Sequence, residues 1–378
     1  MAADFKQVVA ILIFSNTNFN LLGVIDNYES LQIVRRFYSV GDFELHINAN
    51  KNHTEDLQKN NILLFLKQDD DKSVSHMGGI IGHRENQIAD DGSTTDELII
   101  TGTTLQGLLS RRLCLPTGAD GYDSENGKQE TIMKAFVSHN IVAASDADRN
   151  ISNLIIATDQ QRGITDAWRA KYNVLSDMMN TIGTYAKLGW DVLYSIPNKQ
   201  FIFDVYQGKD RSVNQATLNP VIFSADFDNI KAEHFIQDIL NSANVGYCGG
   251  QGDDNNRLMQ KVGSGAGLER QETFIDCSNA ADATELITQG SQKLAEMAEV
   301  KTFEFQIIPN ISFTYKIDYD LGDTVTVVSR RWGIQMDAQI TELKEIYELG
   351  KNDLEVTVGT SIPTLLTIFK KATKQIVR

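Results

Sequence analysis

The sequence predicts a β-rich α+β fold: two antiparallel β-barrels of similar architecture with small α/β domains interleaved between them. Three observations predict it. Short apolar or alternating runs separated by turn residues fill the first hundred residues and recur from Val300 to Val358. Helical spacing is confined to the stretches between them. A strand, loop, strand, turn and strand ending in Gly-Thr is written twice, once from Leu57 to Thr103 and once from Leu321 to Thr360.

The elements follow in order. Val8 to Ser15 is a short apolar run, and Leu22 to Ile25 follows a polar turn at Asn16 to Asn20. Ser30 to Phe37 is rich in β-formers. Phe43-Glu44-Leu45-His46-Ile47 alternates apolar and polar residues, as a half-buried strand does. Ile62 to Leu66 reads as a buried strand, and Met77 to Gly82 and Glu97 to Gly102 as strands joined through Asp90-Asp91-Gly92. Leu105 to Arg111 predicts one or two helical turns. Asp120 to Gly127 reads as a polar loop. Lys128 to His139 and Asp166 to Leu188 read as helices, and Trp190 to Ser195 with Phe201 to Tyr206 as a hairpin. Strands resume at Phe223 to Ile239. Val245 to Cys248 and Thr273 to Asp276 flank a glycine-rich loop, and Asp282 to Ala298 reads as a helix capped by Asn279 or Ser278. The organisation expected is a first barrel over 1–115, an α+β domain over 116–210, a second barrel over 211–245 and 300–360, an inserted loop–strand–helix part over 246–299, and a basic segment over 361–378.

Composition narrows the function. The 378 residues suggest roughly two or three domains of about 100–200 residues each. With 42% hydrophobic residues, real cores are affordable and wholesale disorder is excluded. The net charge of −15 argues against a general polyanion binder. Lys370, Lys371, Lys374 and Arg378 put +4 on the last eighteen residues, leaving −19 on the other 360. Three distant cysteines, Cys114, Cys248 and Cys277, form no C-x-x-C pair, which fits buried thiols in a reducing compartment. Met1 to Val8 lacks the pattern of a signal peptide, and no apolar run is long enough to span a bilayer.

No chemical motif stands out. Gly263-Ser264-Gly265-Ala266-Gly267 has the wrong glycine spacing for a phosphate cradle, and Leu268 to Asp276 reads as a strand, so it reads as a hairpin loop. His46, His53, His76, His83, His139 and His234 form no metal-binding pair. Asp318, Asp320 and Asp323 crowd one segment, but alternation places Asp318 and Asp320 on one solvated strand face rather than in a catalytic pair. No catalytic, cofactor-binding or metal-binding residue is assigned, and no cofactor is expected. The carboxyl-terminal segment, with Leu365, Leu366, Ile368, Phe369 and Ile376 among its lysines, is expected to pack its apolar side on protein.

Leu21-Leu22-Gly23-Val24-Ile25-Asp26-Asn27-Tyr28 through Arg35-Arg36-Phe37-Tyr38 to Gly41-Asp42-Phe43-Glu44-Leu45 resembles the tail-tip hub proteins of siphophages and prophages. Thr101 to Arg112, Arg270 to Asp276 and Leu321-Gly322-Asp323-Thr324-Val325 extend the resemblance to about residue 360. These are the amino-terminal hub domains of tail-associated lysins, related to baseplate hubs of contractile tails. The resemblance implies a structural virion-tail protein, not an enzyme. It implies a homotrimer in which two barrels per subunit make a pseudo-sixfold ring, docked on a hexameric tail tube or distal tail protein and closing or continuing the channel. The partners it implies are other copies, the tape measure protein, and a tail fibre, spike or receptor-binding protein. Genomic DNA would pass without specific binding, no membrane is involved, and assembly would take place in the host bacterial cytoplasm. The alternatives are a cell-wall-degrading tail enzyme, any such activity otherwise lying on another chain, or a carbohydrate-binding module. Exposed Trp168, Trp190 and Trp332 would favour the last.

Overall fold

A computed structural model describes residues 9–67, 74–75, 77–87, 96–119, 121–252, 256–308 and 311–360. The Asp69-Asp70-Asp71 and Asp90-Asp91-Gly92 turns, His76 and the basic segment 361–378 lie outside them. The chain divides into two units. Unit 1 comprises Met1–Asp210, Phe313–Asp323 and Leu343–Glu355; unit 2 comprises Arg211–Ser312, Thr324–Glu342 and Val356–Arg378.

Unit 1 opens with β1 (Val9–Phe14), β2 (Leu21–Ile25), β3 (Ser30–Arg36), β4 (Asp42–Asn48), β5 (Ile62–Lys67), β6 (Val74–Ser75), β7 (Gly78–Gln87) and β8 (Glu97–Thr104). Its main sheet has the order β3-β4-β8-β7-β5-β1-β2. The pairs are antiparallel, as in Leu31↔Leu45, Leu45↔Ile100, Ile62↔Ile80 and Ile11↔Phe65. Phe43, Leu45 and Ile47 turn inward from β4, while Asp42 and Glu44 face water, so the alternation in sequence is the alternation in space. β5 is apolar at every inner position because both its faces are covered: Ile62 and Leu64 enter one core, Leu63 and Phe65 another. Each such buried side chain contributes roughly 1.5–3 kcal/mol.

The rest of unit 1 is an α/β part. It contains β9 (Asp123–Lys128), α1 (Gln129–Val137), β10 (Leu154–Ile156), β11 (Thr165–Ala170), α2 (Leu175–Ala186), β12 (Gly189–Ser195) and β13 (Gln200–Tyr206). The Leu105–Arg111 turn is a 3₁₀ helix that buries Leu105, Leu108 and Leu109. Two expectations are corrected here. The loop expected over Asp120 to Gly127 gives way to β9 from Asp123 onward, and the long helix expected over Asp166 to Leu188 is β11 followed by the shorter α2. The two strands pair, with Trp168 opposite Glu125 and Ala170 opposite Asp123. Tertiary pairing overrides the polar composition of β9, and Tyr172, at φ 58, breaks the path from β11 into α2. α2 then buries Leu175, Met178, Met179 and Ile182 on one stripe.

Unit 2 holds β14 (Ile222–Phe223), β15 (Ile230–Asp238), β16 (Val245–Gly249), β17 (Met259–Gly263), β18 (Glu272–Asp276), α3 (Ala283–Ala295), β19 (Val300–Ile307), β20 (Thr324–Ser329), and parts of β21 (Ile334–Glu348) and β22 (Lys351–Gly359). Its main sheet runs β15-β19-β22-β21-β20, with β14 beside β20. The strand expected over Phe223 to Ile239 is two strands, split by a 3₁₀ turn at Ala225–Phe227. A second sheet, β17-β16-β18, carries α3 on one face through Cys248, Val262, Ile275 and Leu286. Gly290 lets the helix approach, since a Cβ there would stand 2.2 Å from the Cys248 sulfur. The cap of α3 is Asp282, not Asn279 or Ser278. Its carboxylate accepts from Glu285 N at 2.8 Å, and Glu285 reaches back to accept from Ala281 N at 3.0 Å.

The β-rich α+β class is the fold observed. The repeat read from sequence also has a structural counterpart: β3-β4-β8-β7-β5 and β15-β19-β22-β21-β20 share one strand order. Among the described residues, each sheet is an open path rather than a closed ring.

Candidate functional site: a buried ionic network and open strand edges

Unit 1 brings together charges that are far apart in sequence. Arg35 on β3 donates to the Tyr315 hydroxyl at 2.7 Å and meets Asp320 at 3.3 Å. Tyr315 donates to Glu345 Oε1 at 3.0 Å, and Lys67 on β5 donates to Glu345 Oε2 at 2.7 Å. Tyr347 donates to the same Oε2. The Lys67 ammonium also lies over the Tyr315 and Tyr347 rings. Burial opposes the charge on Glu345, but Lys67, the Tyr347 hydroxyl and Arg35 outweigh it and hold the carboxyl below its ordinary range. Asp191, on β12 and half-buried, is pushed up to about 7 by burial, only partly offset by Arg35. Arg35, Asp191, Gln106 and Leu321 line a cavity with room for about one water. Every charge in the network points at another protein group, so it fastens the 313–323 and 343–348 segments to the sheet of unit 1. Sequence reasoning missed it, because Arg35 and Asp320 are 285 residues apart.

The residues singled out in sequence fall elsewhere. Asp318 and Asp320 do not share a strand: the segment is a series of turns. Asp318 accepts from Thr314 N at 2.7 Å, and Asp323 accepts from Lys209 N at 2.7 Å, so both organise backbone. The glycine-rich loop is not a hairpin, because β17 and β18 lie on opposite sides of β16. The strand after it begins only at Glu272, following a 3₁₀ turn at Gly267–Glu269.

All five described histidines meet a carboxylate. His46 lies 2.6 Å from Glu97 and 2.8 Å from Glu44. Burial lowers its pKa, and the hydrogen bonds to Glu97 and Glu44 more than restore it, leaving it raised. His53, His83, His139 and His234 meet Asp56, Glu85, Asp123 and Glu304. Two groups, His53–Glu55–Asp56 and Asp123–Glu125–His139, have ligand atoms close enough to surround a cation. In the second, buried Asp123 already accepts from Thr117, His139 and Asn140 at 2.9–3.1 Å, an arrangement complete as a fold tie.

Cys114, Cys248 and Cys277 are free thiols, all buried. Burial pushes Cys114 up to about 12 and Cys248 to about 11, which keeps both protonated at neutral pH. Trp168 and Trp190 are core residues, whereas Trp332 is 43% exposed and packs on Phe303.

Open strand edges are the other feature. β2 ends the sheet of unit 1 and exposes Leu21, Leu22 and Val24. β15 ends the sheet of unit 2 and carries a bulge around Ala232, at φ 55, with Lys231, Glu233 and His234 beside it. The bulge and charges are devices that discourage promiscuous strand addition; β2 also carries an irregularity, at Leu22 between the Ile13↔Gly23 and Phe14↔Leu21 pairs, but no charged side chain.

The fold is that of phage tail proteins. The chain resembles the 43 kDa tail protein of prophage MuSo2 from Shewanella oneidensis, with TM-score 0.60 and 10% identity over 92% of this chain and 98% of the other. It resembles a tail protein from Neisseria meningitidis MC58, with TM-score 0.58 and 13% identity over 93% and 97%. Prophage tail protein gp18 from Listeria monocytogenes EGD-e gives TM-score 0.55 and 12% identity over 97% and 99%. Residues 10–360 match the Siphovirus ReqiPepy6 Gp37-like proteins, and the chain belongs to that siphovirus tail protein family. None of the curated proteins matches it.

Proposed function

We propose that this chain is the hub of a phage or prophage tail tip, with three copies forming a pseudo-sixfold ring. The observation that carries this reading is the strand order occurring twice in one chain. Two equivalent sheets per subunit are what a trimer needs to face a sixfold partner, here the tail tube or distal tail protein. In the ring each sheet would form the wall of one barrel, following the domain limits read from sequence, and the tape measure protein and a fibre, spike or receptor-binding protein would be the other neighbours. The ring would close or continue the DNA channel of a virion tail assembled in the host cytoplasm. The net charge of −15 supports a wall that DNA slides past without tight binding. Light scattering tests the ring: the expected mass is three times 42.1 kDa. A 42.1 kDa particle at every concentration would sink it.

The protein acts structurally, without hydrolysing cell wall. The carboxylates that crowd residues 318–323 support this, because Asp318 and Asp323 accept from backbone amides and Asp320 pairs with Arg35 rather than with another carboxyl across a cleft. Incubation with purified peptidoglycan is expected to leave its turbidity unchanged.

A further inference from the structure

The repeated strand order leaves one pairing without a counterpart, and the inference drawn from it rests on the ring reading above. Matching the sheets sets β3 with β15, β4 with β19, β8 with β22, β7 with β21 and β5 with β20. β3 has a strand on each side, β4 and β21. The second half of β21 makes that junction: Tyr347 lies in the same core as Leu31 and Ile33. Its counterpart differs. Among the described residues, β15 has β19 on one side and no strand on the other. β7, the counterpart of β21, pairs with β5 through Gly78–Ile80, and beyond Ile81 its only strand neighbour among the described residues is β8. Both partners of a β21–β3 type of junction are therefore present, one on each sheet, and among the described residues no strand occupies either edge.

Exposure agrees. Residues 343–348 of β21 alternate between buried and half-buried, whereas Gly82 to Asn86 of β7 are all exposed. On β15, Phe235 and Ile236 point to opposite faces and each is only half-buried. The charges are complementary in an antiparallel register that sets His83 on β7 opposite Glu233 on β15 and Glu85 opposite Lys231. An open edge offers backbone donors and acceptors that only another strand satisfies.

We infer that β15 of one copy pairs with the Gly82–Gln87 stretch of β7 in the next copy, reproducing between chains the β21–β3 junction within each chain. Two different edges meet, so the contact is head-to-tail and its repetition closes a ring rather than a two-fold dimer. Intra-chain and inter-chain junctions then alternate, which accounts for pseudo-sixfold spacing.

Cysteine cross-linking tests this, because all three native thiols are buried. His83→Cys and Glu233→Cys are made separately, mixed, and oxidised with diamide. The mixture is expected to give a non-reducing band at twice 42.1 kDa, and each variant alone to stay at 42.1 kDa. The double variant is expected to give a covalent trimer. Asn86→Cys with Gln237→Cys samples a shifted register. Cross-linking of a single variant with itself would show a two-fold contact and overturn the proposal. So would failure of both pairs in a protein that light scattering shows to be trimeric, which leaves the ring standing. A monomer at every concentration overturns the junction and the ring together.

Discussion

The two main sheets share a strand order and differ in what surrounds it. In unit 1 the outer strand β5 is covered on both faces and extended by β1 and β2. In unit 2 its counterpart β20 is flanked by the two-residue β14 and buries the polar Thr326 and Ser329. The additions also enter at different connections. The first sheet runs from β3 to β4 through a short turn and places its α/β part after β8; the second admits β16 to α3 between β15 and β19. The constant is the ladder of paired backbones, and the connections absorb the variation, since a surface loop lengthens at small cost.

The polar network breaks the equivalence most sharply, because it ties the end of β21 to the first sheet. Glu345→Ala leaves Lys67 and Arg35 partly uncompensated in a buried site, and a loss of roughly 3–5 kcal/mol is expected. Urea unfolding followed by the fluorescence of Trp168 and Trp190, both in unit 1, measures it; a loss below about 1 kcal/mol would mean the network is ornamental.

The two Gly-Thr strand ends sharpen the comparison. A Cβ at Gly102 would lie 2.1 Å from the Ile80 carbonyl oxygen, and one at Gly359 would lie 2.2 Å from that of Lys301. Only Gly359 also has a positive φ, of 96°. Gly102→Ala is expected to cost roughly 1–3 kcal/mol through overpacking. Gly359→Ala should cost about 1 kcal/mol more, from backbone strain. Equal losses in calorimetry would show that contact alone sets the requirement.

Asp191 supplies a pH effect. Burial lifts its folded pKa to about 7, above the ordinary aspartate value of 3.8, so the folded state holds the proton more tightly. Its contribution to stability is full below the unfolded value and is lost as pH rises through about 7. Asp191→Asn is expected to flatten the fall in stability between these limits, read from urea midpoints at pH 5 and pH 8. An unchanged slope would remove Asp191 as its source.

The smallest effect is expected one residue from the largest. Lys344 points away from the core toward Glu355, at 3.5 Å and partly exposed. Lys344→Ala should change stability by roughly 0–1 kcal/mol. A large loss would mean that the outward face of β21 is packed rather than solvated.

Much of the ladder was legible because its signal is local. β4 showed its buried face by alternation, β5 its double burial by an unbroken apolar run, and the repeat by turn residues that any such meander needs. The errors lay where a distant partner decided the outcome. Asp123–Lys128 is a strand because β11 lies beside it, and Asp318 and Asp320 sit in turns because the backbone of 313–323 and Arg35 take their carboxylates. The glycine-rich loop spans β16 because β18 pairs in parallel with that strand, a choice short-range pattern does not encode. Thus the sequence by itself determined most strands of the two main sheets and which of their faces turn inward, since side-chain period and turn chemistry act over a few residues. Only the tertiary structure decided which strands are neighbours, which charges share the buried network around Glu345, and which edges stay open. Those outcomes rest on contacts between residues hundreds of positions apart, formed where shape and electrostatics bring them together.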